Sequence, residues 1–440
     1  MENNVPSELK HILLNNIRAI CSNPYLLAKN PDKDFTRNRK ISGSTLIHYL
    51  LSQHGNSLNT ELRDYFSINE RDIPTKQALI HQKHKLNEEA LPSLFYMFNR
   101  DTEQMYDSRT YEGYHLYAFD GTTLTIATNP DSETYLPKQN YNQLLITACY
   151  DLLNCTYKDL DIRARAKQYE VQSAIYMLNR NSFPEKSIFM GDRLYGSLNL
   201  LEHIKRAGKH FLIRVKDRFI KELHNLPMEE FDIDIQKELR TSQTNKDKEL
   251  YRQGKATYIS GKSNKGKSKV YENWDFESPY IMNLRVVRVK LEEGCYETIV
   301  TNLDRFTFTP EKIKELYHLR WGIETSFRDL KYNIGLLHLH AKTEEFVYQE
   351  IFASFVMFNA CQRAICSTIV KQNPNGKHEV SLNITQAISV FRNRFRKLND
   401  NLEGITEQFL CYLEIVRPGR KDKRKQMKPK EFVGFIYRVA

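Results

Sequence analysis

The sequence predicts an α/β protein: a mixed sheet with helices on both faces, preceded by a helical segment and interrupted by a mainly β insertion. Three observations carry this. Residues 1–108 read as helical. From about 112 the apolar period changes to two, and short strands then alternate with helices. Residues 217–295 break that alternation with a polar, lysine-rich tract set between segments of strand character.

Within the first segment, residues 44–53, 58–66 and 74–86 are short amphipathic stretches, with turn signals at Gly55-Asn56 and 69–73. They suit a helix-turn-helix. Its last helix would offer Lys76, Gln77, His81, Gln82, Lys83 and Lys85 to phosphates and base edges. A helical bundle with a polar face fits the same pattern.

In the core, HLYAFDG is a short strand ending in a carboxylate and a glycine, and TTLTIA follows it. NQLLITACY and CTYKDLDIR pair around 151–154. Residues 167–179 read as a helix, KSIFMGD as a strand ending in a second carboxylate, SLNLLEHIKRAG as a helix closed by Gly208, and HFLIRVK as a strand. NLRVVRVKLEEG and CYETIVTNLD have strand character. Helix returns at Pro310 and at 346–369. The division is therefore 1–108 helical, 109–216 and 296–372 core, 217–295 insertion, and 373–440 a helical region with a basic tail.

Composition limits the function. Of 440 residues 40% are hydrophobic and 27% charged, ordinary globular values. Lys plus Arg exceeds Asp plus Glu by 65 to 54, a formal +11 that favours a polyanionic partner, nucleic acid before membrane. Residues 417–430 hold eight basic residues and one acid, which fits a solvated tail or a phosphate-contacting arm. The seven cysteines include no C-x-x-C, which reads as reduced thiols in a cytosolic protein. The N-terminus lacks a signal-peptide pattern, and no run approaches a membrane span.

The stretch from Thr309 to Gly335 reads as one helix, with Thr309 as N-cap, Pro310 at the first position and Gly335 as stop. Ile313, Leu316, Ile323, Phe327 and Leu330 form its apolar stripe. Tyr317, Arg320, Glu324 and Lys331 share an arc beside it, a row about 21 Å long at helical rise. Ordinary i,i+4 pairing of Arg320 with Glu324 would also account for them.

Asp120 and Asp192 each follow an apolar strand and precede a turn. Two strand ends of one sheet can bring both carboxylates to one edge, though strand-end aspartates also start turns. With Glu324 they make a set of hard oxygen donors suited to two Mg²⁺ (or Mn²⁺) ions, and so to phosphodiester chemistry.

The spacing Y-x2-R-x3-E-x6-K, met by Tyr317, Arg320, Glu324 and Lys331, resembles the signature of bacterial DDE-class transposases of the "insertion sequence four" family. FDGTTL, GDRLYG, RWGIETSFRDLK and RPGRKDKRK extend the resemblance to about 112–430. It implies a ribonuclease-H-like core interrupted by a β domain, with Asp120, Asp192 and Glu324 as catalytic metal ligands. It further implies phosphate contacts from Tyr317, Arg320, Lys331 and Arg193, and from Arg417 and Arg420 in the tail. An aromatic residue of the insertion, for which Trp274 is the only Trp available, would stabilise a flipped base. The implied reaction is binding of terminal inverted repeats by a homodimer, metal-dependent strand cleavage, a hairpin in related members, and joining to target DNA. Its implied place is the bacterial cytoplasm, at the nucleoid. One departure stands out. Leu194 occupies a position where the family often has glycine, which puts the local backbone in question. The alternatives are a nuclease of the same superfamily without strand transfer, and a transposase-derived repressor. The intact carboxylates argue against the repressor.

Overall fold

A computed structural model describes residues 4–416 apart from 168, 218, 225, 262–272 and 375–377. Six helices open the chain: α1 Val5–Ser22, α2 Pro24–Leu27, α3 Gly43–Leu51, α4 Leu58–Ile68, α5 Lys76–Lys83 and α6 Ala90–Met105. Ser42, Ser57 and Thr75 cap α3, α4 and α5 by accepting from the backbone N–H three residues on. The three helices expected at 44–53, 58–66 and 74–86 are therefore present.

The sheet follows. Its first strands are β1 His115–Ile126, β2 Tyr135–Leu136, β3 Tyr141–Asp151 and β4 Thr156–Ala164. After helix α7 Glu170–Arg180 come β5 Ser187–Gly191, helix α8 Leu198–Arg206 and β6 His210–Val215. The insertion supplies β7 Phe231–Arg240, helix α9 Asn245–Arg252, β8 Thr257–Tyr258, β9 Ser260–Gly261, β10 Asn273–Trp274 and β11 Tyr280–Glu292, and β12 Cys295–Thr301 follows from its last residue. The spatial order is β2-β3-β1-β5-β6-β12-β11-β7-β8, with β4 also on β3. β1, β5 and β6 run parallel; β3 and β4 are antiparallel neighbours on one side.

Three expectations are corrected. HLYAFDG and TTLTIA are one twelve-residue strand, because Gly121 continues the ladder opposite Thr147. Asp120 therefore lies mid-strand. The insertion does not stand apart: β12 pairs with β6 and β11 with β12, so its ladder continues the core sheet. The polar tract after 240, which its lysines and glycines would make a flexible loop, holds a helix instead, since Thr244 caps α9 through Asp247 N–H.

The remaining helices are α10 Pro310–Leu319, α11 Trp321–Asp329, α12 Glu344–Cys366, α13 Ile384–Phe395 and α14 Ile405–Leu410, and a short hairpin pairs Val380–Leu382 with Leu413–Ile415. One continuous core joins the N-terminal helices to α12, α13 and one face of the sheet, including Ala118, Leu124 and Ile146. α7 and α8 cover the other face over Tyr117, Phe119 and Phe189. α10 packs on Leu116, Met190 and Leu212. No described helix is long and apolar enough to cross a membrane.

Candidate active site

Strand parity aims the two aspartates. On β1, Tyr117 and Phe119 face α7 and α8, while Ala118, Leu124 and Ile126 face the core shared with α11. Side chains alternate along a strand, so Asp120 points to the α11 side. The parallel register of β1 with β5 ends at Phe119 opposite Gly191. The next residue on each strand is Asp120 and Asp192, which leave the ladder abreast. On β5 Met190 packs under α10, and parity carries Asp192 to that same side.

The motif GDRLYG is built around this exit. Leu194 N–H donates to Asp192 Oδ1 at 2.8 Å and Tyr195 N–H to Asp192 O at 3.0 Å. Leu194 does not need a left-handed backbone and is half exposed, so its side chain is accommodated without a glycine. The glycine that matters is Gly191. A Cβ there would meet Tyr195 Cβ at 2.8 Å.

Glu324 comes from α11, whose Ile323 and Phe327 pack into the shared core. Arg320 donates from Nη2 to Glu324 Oε1 at 2.7 Å. Arg320 is only 4% exposed, and its Nε and Nη1 find no acceptor. A buried guanidinium with two idle donors is costly alone and well prepared for an anion. Burial lifts the Asp120 carboxyl to about 7; Gly121 N–H and Arg320 pull it down, and Asp192 and Glu324 push it up.

The helix carrying the motif is not uniform. It tightens at Arg320, where Arg320 N–H bonds Tyr317 O and Ile323 N–H bonds Arg320 O, and it ends in a π turn, Leu330–Ile334, stopped by Gly335 at φ 93°. Lys331 sits in that turn, half-buried, its ammonium pulled below the usual lysine value by burial. Tyr317 is buried, and its hydroxyl donates to Gly191 O at 3.4 Å. Burial raises its phenol to about 12. Its expected phosphate contact is therefore replaced by packing against the strand end that carries Asp192.

Other expected DNA contacts divide. Arg193 and Gln77 are exposed and Lys76 half-buried. Lys83 is buried and paired with Glu350 at 2.9 Å, because its turn of α5 faces α12. Trp274 is 2% exposed; its Nε1 donates to Glu277 O at 2.8 Å, and its ring lies against Phe276 and Tyr280. It is a core residue of the insertion. Arg417 and Arg420 lie outside the described residues.

Sequence reasoning missed Glu170 and Tyr195. A Cβ on Gly121 would clash with Glu170 Oε2, so this buried carboxylate lies against the sheet face opposite Asp120. Tyr195 hydroxyl donates to it at 3.3 Å. The glycine after the first aspartate was the available signal.

Among the described residues no three His, Cys, Asp or Glu side chains are gathered closely enough to hold a metal. Arg320 holds Glu324 at 2.7 Å. The donor set itself fits a hard divalent ion: two aspartates stand abreast on adjacent strands, with a glutamate on the helix facing them.

A mixed sheet that delivers acids from two neighbouring strands towards a glutamate-bearing helix defines an acidic site at the end of the β1–β5 ladder. The chain belongs to the Transposase DDE domain family, which it matches over residues 111–360, more than half its length. A 74-residue stretch is 35% identical to a probable transposase for insertion sequence element IS5377 from Geobacillus stearothermophilus. That match covers 17% of this chain and 19% of the relative, so the chain spans about a fifth of that relative's length. A solved piggyBac transposase synaptic complex with hairpin DNA aligns with 96% of this chain and 88% of its own. Its TM-score of 0.46 and 10% identity are too low to bear on fold or chemistry.

Proposed function

We propose that this protein is a DNA transposase that binds the terminal inverted repeats of an insertion sequence and catalyses divalent-metal-dependent cleavage and strand transfer. The observation that carries the reading is that Asp120, midway along β1, and Asp192, just past the end of β5, stand abreast where the β1–β5 pairing stops, on the sheet face occupied by α10 and α11. Family membership supports a phosphodiester substrate for that acidic site. The order β4-β3-β1-β5-β6, with the last three strands parallel, supports a ribonuclease-H-like core, and the Tyr317, Arg320, Glu324, Lys331 spacing supports the "insertion sequence four" family.

Asp120, Asp192 and Glu324 would hold one or two Mg²⁺ or Mn²⁺ ions, which when bound activate the attacking oxygen and stabilise the leaving one. Arg320 supplies idle donors for a phosphate beside the scissile bond, while Tyr317 fixes α10 against the end of β5. Arg193 and Lys331 are the further phosphate contacts. Duplex DNA at both ends implies two copies of the chain.

The test is purified protein with Mg²⁺ and labelled terminal repeats in the presence of plasmid. Cleaved 3′ ends joined to plasmid are expected from wild type, and neither product from Asp120→Asn, Asp192→Asn or Glu324→Gln. Nicking by wild type without joined product would turn the reading to a nuclease.

A further inference from the structure

A basic cavity lies between α5 and the loop that precedes α3. The loop is held to the end of α5. Ala28 and Leu86 form an antiparallel bridge, with Lys29 N–H donating to Lys85 O and Asn87 N–H to Leu27 O, both at 2.9 Å. Buried Ile41 pins its far end. Between these anchors is a cavity of about 440 Å³, within the usual range of ligand clefts, about 300–1,000 Å³.

Its lining is chemically one-sided. Lys33, Arg37, Arg39 and Lys85 all line it, and among the described residues none of their side chains makes a hydrogen bond or ion pair. Asp32 is the one acid in the lining. Four unpaired cations around one cavity repel each other and gain by neutralisation. Gln82 also lines it, from the buried side of α5; it is 9% exposed, and its Oε1 meets no donor. A buried amide oxygen with nothing to accept is unusual and suits an incoming N–H. Phe35 adds a half-buried ring.

We propose that this cavity binds a DNA strand, with Lys33, Arg37, Arg39 and Lys85 on consecutive phosphates and Gln82 Oε1 accepting from an exocyclic base amine. The inference rests on reading the chain as a DNA transposase. It leaves Lys83, which is paired with Glu350, out of the N-terminal DNA contact and brings in the loop before α3.

The experiment is fluorescence anisotropy with two labelled duplexes, the element's terminal repeat and an unrelated sequence, over a salt series, alongside the joining assay. Arg37 and Arg39 are exposed, so their replacement leaves folding intact, which a circular-dichroism melt checks. Arg37→Ala with Arg39→Ala should lower the slope of log affinity against log salt by about 1.8, two phosphates' worth. Lysines at both positions should keep it. Gln82→Ala should keep the slope and narrow the preference for the terminal repeat by about tenfold. An unchanged slope in the alanine pair, from a protein whose wild type still joins ends, overturns this site and leaves the transposase reading standing. A lowered slope from a wild type that joins nothing supports the site and sinks that reading. A wild type that binds neither duplex removes both.

Discussion

Arg320 gives one of its three guanidinium nitrogens to Glu324, at 2.7 Å, and leaves the other two unsatisfied while almost wholly buried. A pair satisfied on one side only is a poor stability device, since burial of the idle donors offsets the attraction. It is a sound receptor for a phosphate, which accepts from several nitrogens of one fork.

Arg320→Ala should therefore weaken binding of cleaved ends by about 1.5–3 kcal/mol, the usual range for hydrogen bonds to a charged group. The salt slope should fall by about 0.9. Arg320→Lys keeps the charge and loses the fork, so the slope should hold while joining falls. Anisotropy at several salt concentrations decides; a slope unchanged in Arg320→Ala means the side chain meets no phosphate.

Asp120 has a pH signature. Its folded carboxyl is raised to about 7 from a usual value of 3.8. A raised acid lowers stability as pH climbs from its unfolded to its folded value, so the metal-free protein should lose stability between about pH 4 and 7, then level. After solvent screening the effect is on the order of 1–3 kcal/mol. Asp120→Asn should remove that slope, melt higher than wild type at pH 8 without metal, and no longer be stabilised by Mg²⁺. Thermal melts across pH, with and without Mg²⁺, check all three. A wild-type melting curve flat over that window would mean that Asp120 ionises normally.

Lys83 and Glu350 make a different pair, buried on both sides. Glu350 also accepts from His340 N–H at 2.7 Å. Burial would push the Glu350 carboxyl up, but Lys83 and His340 outweigh it and hold it below its usual value. Its stabilisation is then present above the unfolded carboxyl value and fades as pH falls through the lower folded one. Lys83→Met should cost about 3–5 kcal/mol at pH 7, because it strands a buried carboxylate. The cost should shrink in acid. The DNA salt slope of the folded fraction should not change; a lowered slope with unaltered stability would return Lys83 to the DNA contacts.

How far the sequence could be read depended on the range of the cause. Periodicity is local, so the strands around Asp120 and Asp192, the three capped N-terminal helices and the stripe of Ile313, Leu316, Ile323, Phe327 and Leu330 were all legible. Gly121 misled, because glycine usually interrupts a strand; here it makes room for Glu170, which no local pattern reveals. Burial of polar side chains was equally hidden. Lys83 and Tyr317 carry the chemistry of contacts, and only the tertiary neighbours Glu350 and Gly191 O show that their groups are already engaged; Trp274 is engaged locally, by Glu277 O three residues on.

Trp274 provides the sharpest contrast between a core and a DNA role. Its ring is buried against Phe276 and Tyr280 beneath the last strands of the insertion. Removing it should cost about 3–5 kcal/mol, the usual range for Trp→Ala in a core. Trp274→Ala should therefore lower the melting temperature. Because the insertion's ladder continues through β11 and β12 to β6, joining should fall with the folded fraction. Trp274→Phe keeps most of the volume and loses the bond to Glu277 O, so it should melt only slightly lower and retain joining. A base-stacking residue would behave in the opposite way: Trp274→Ala would melt like wild type yet fail to join. Melting temperature and joining measured on the same preparations separate the two, and full stability with lost joining would take Trp274 out of the core.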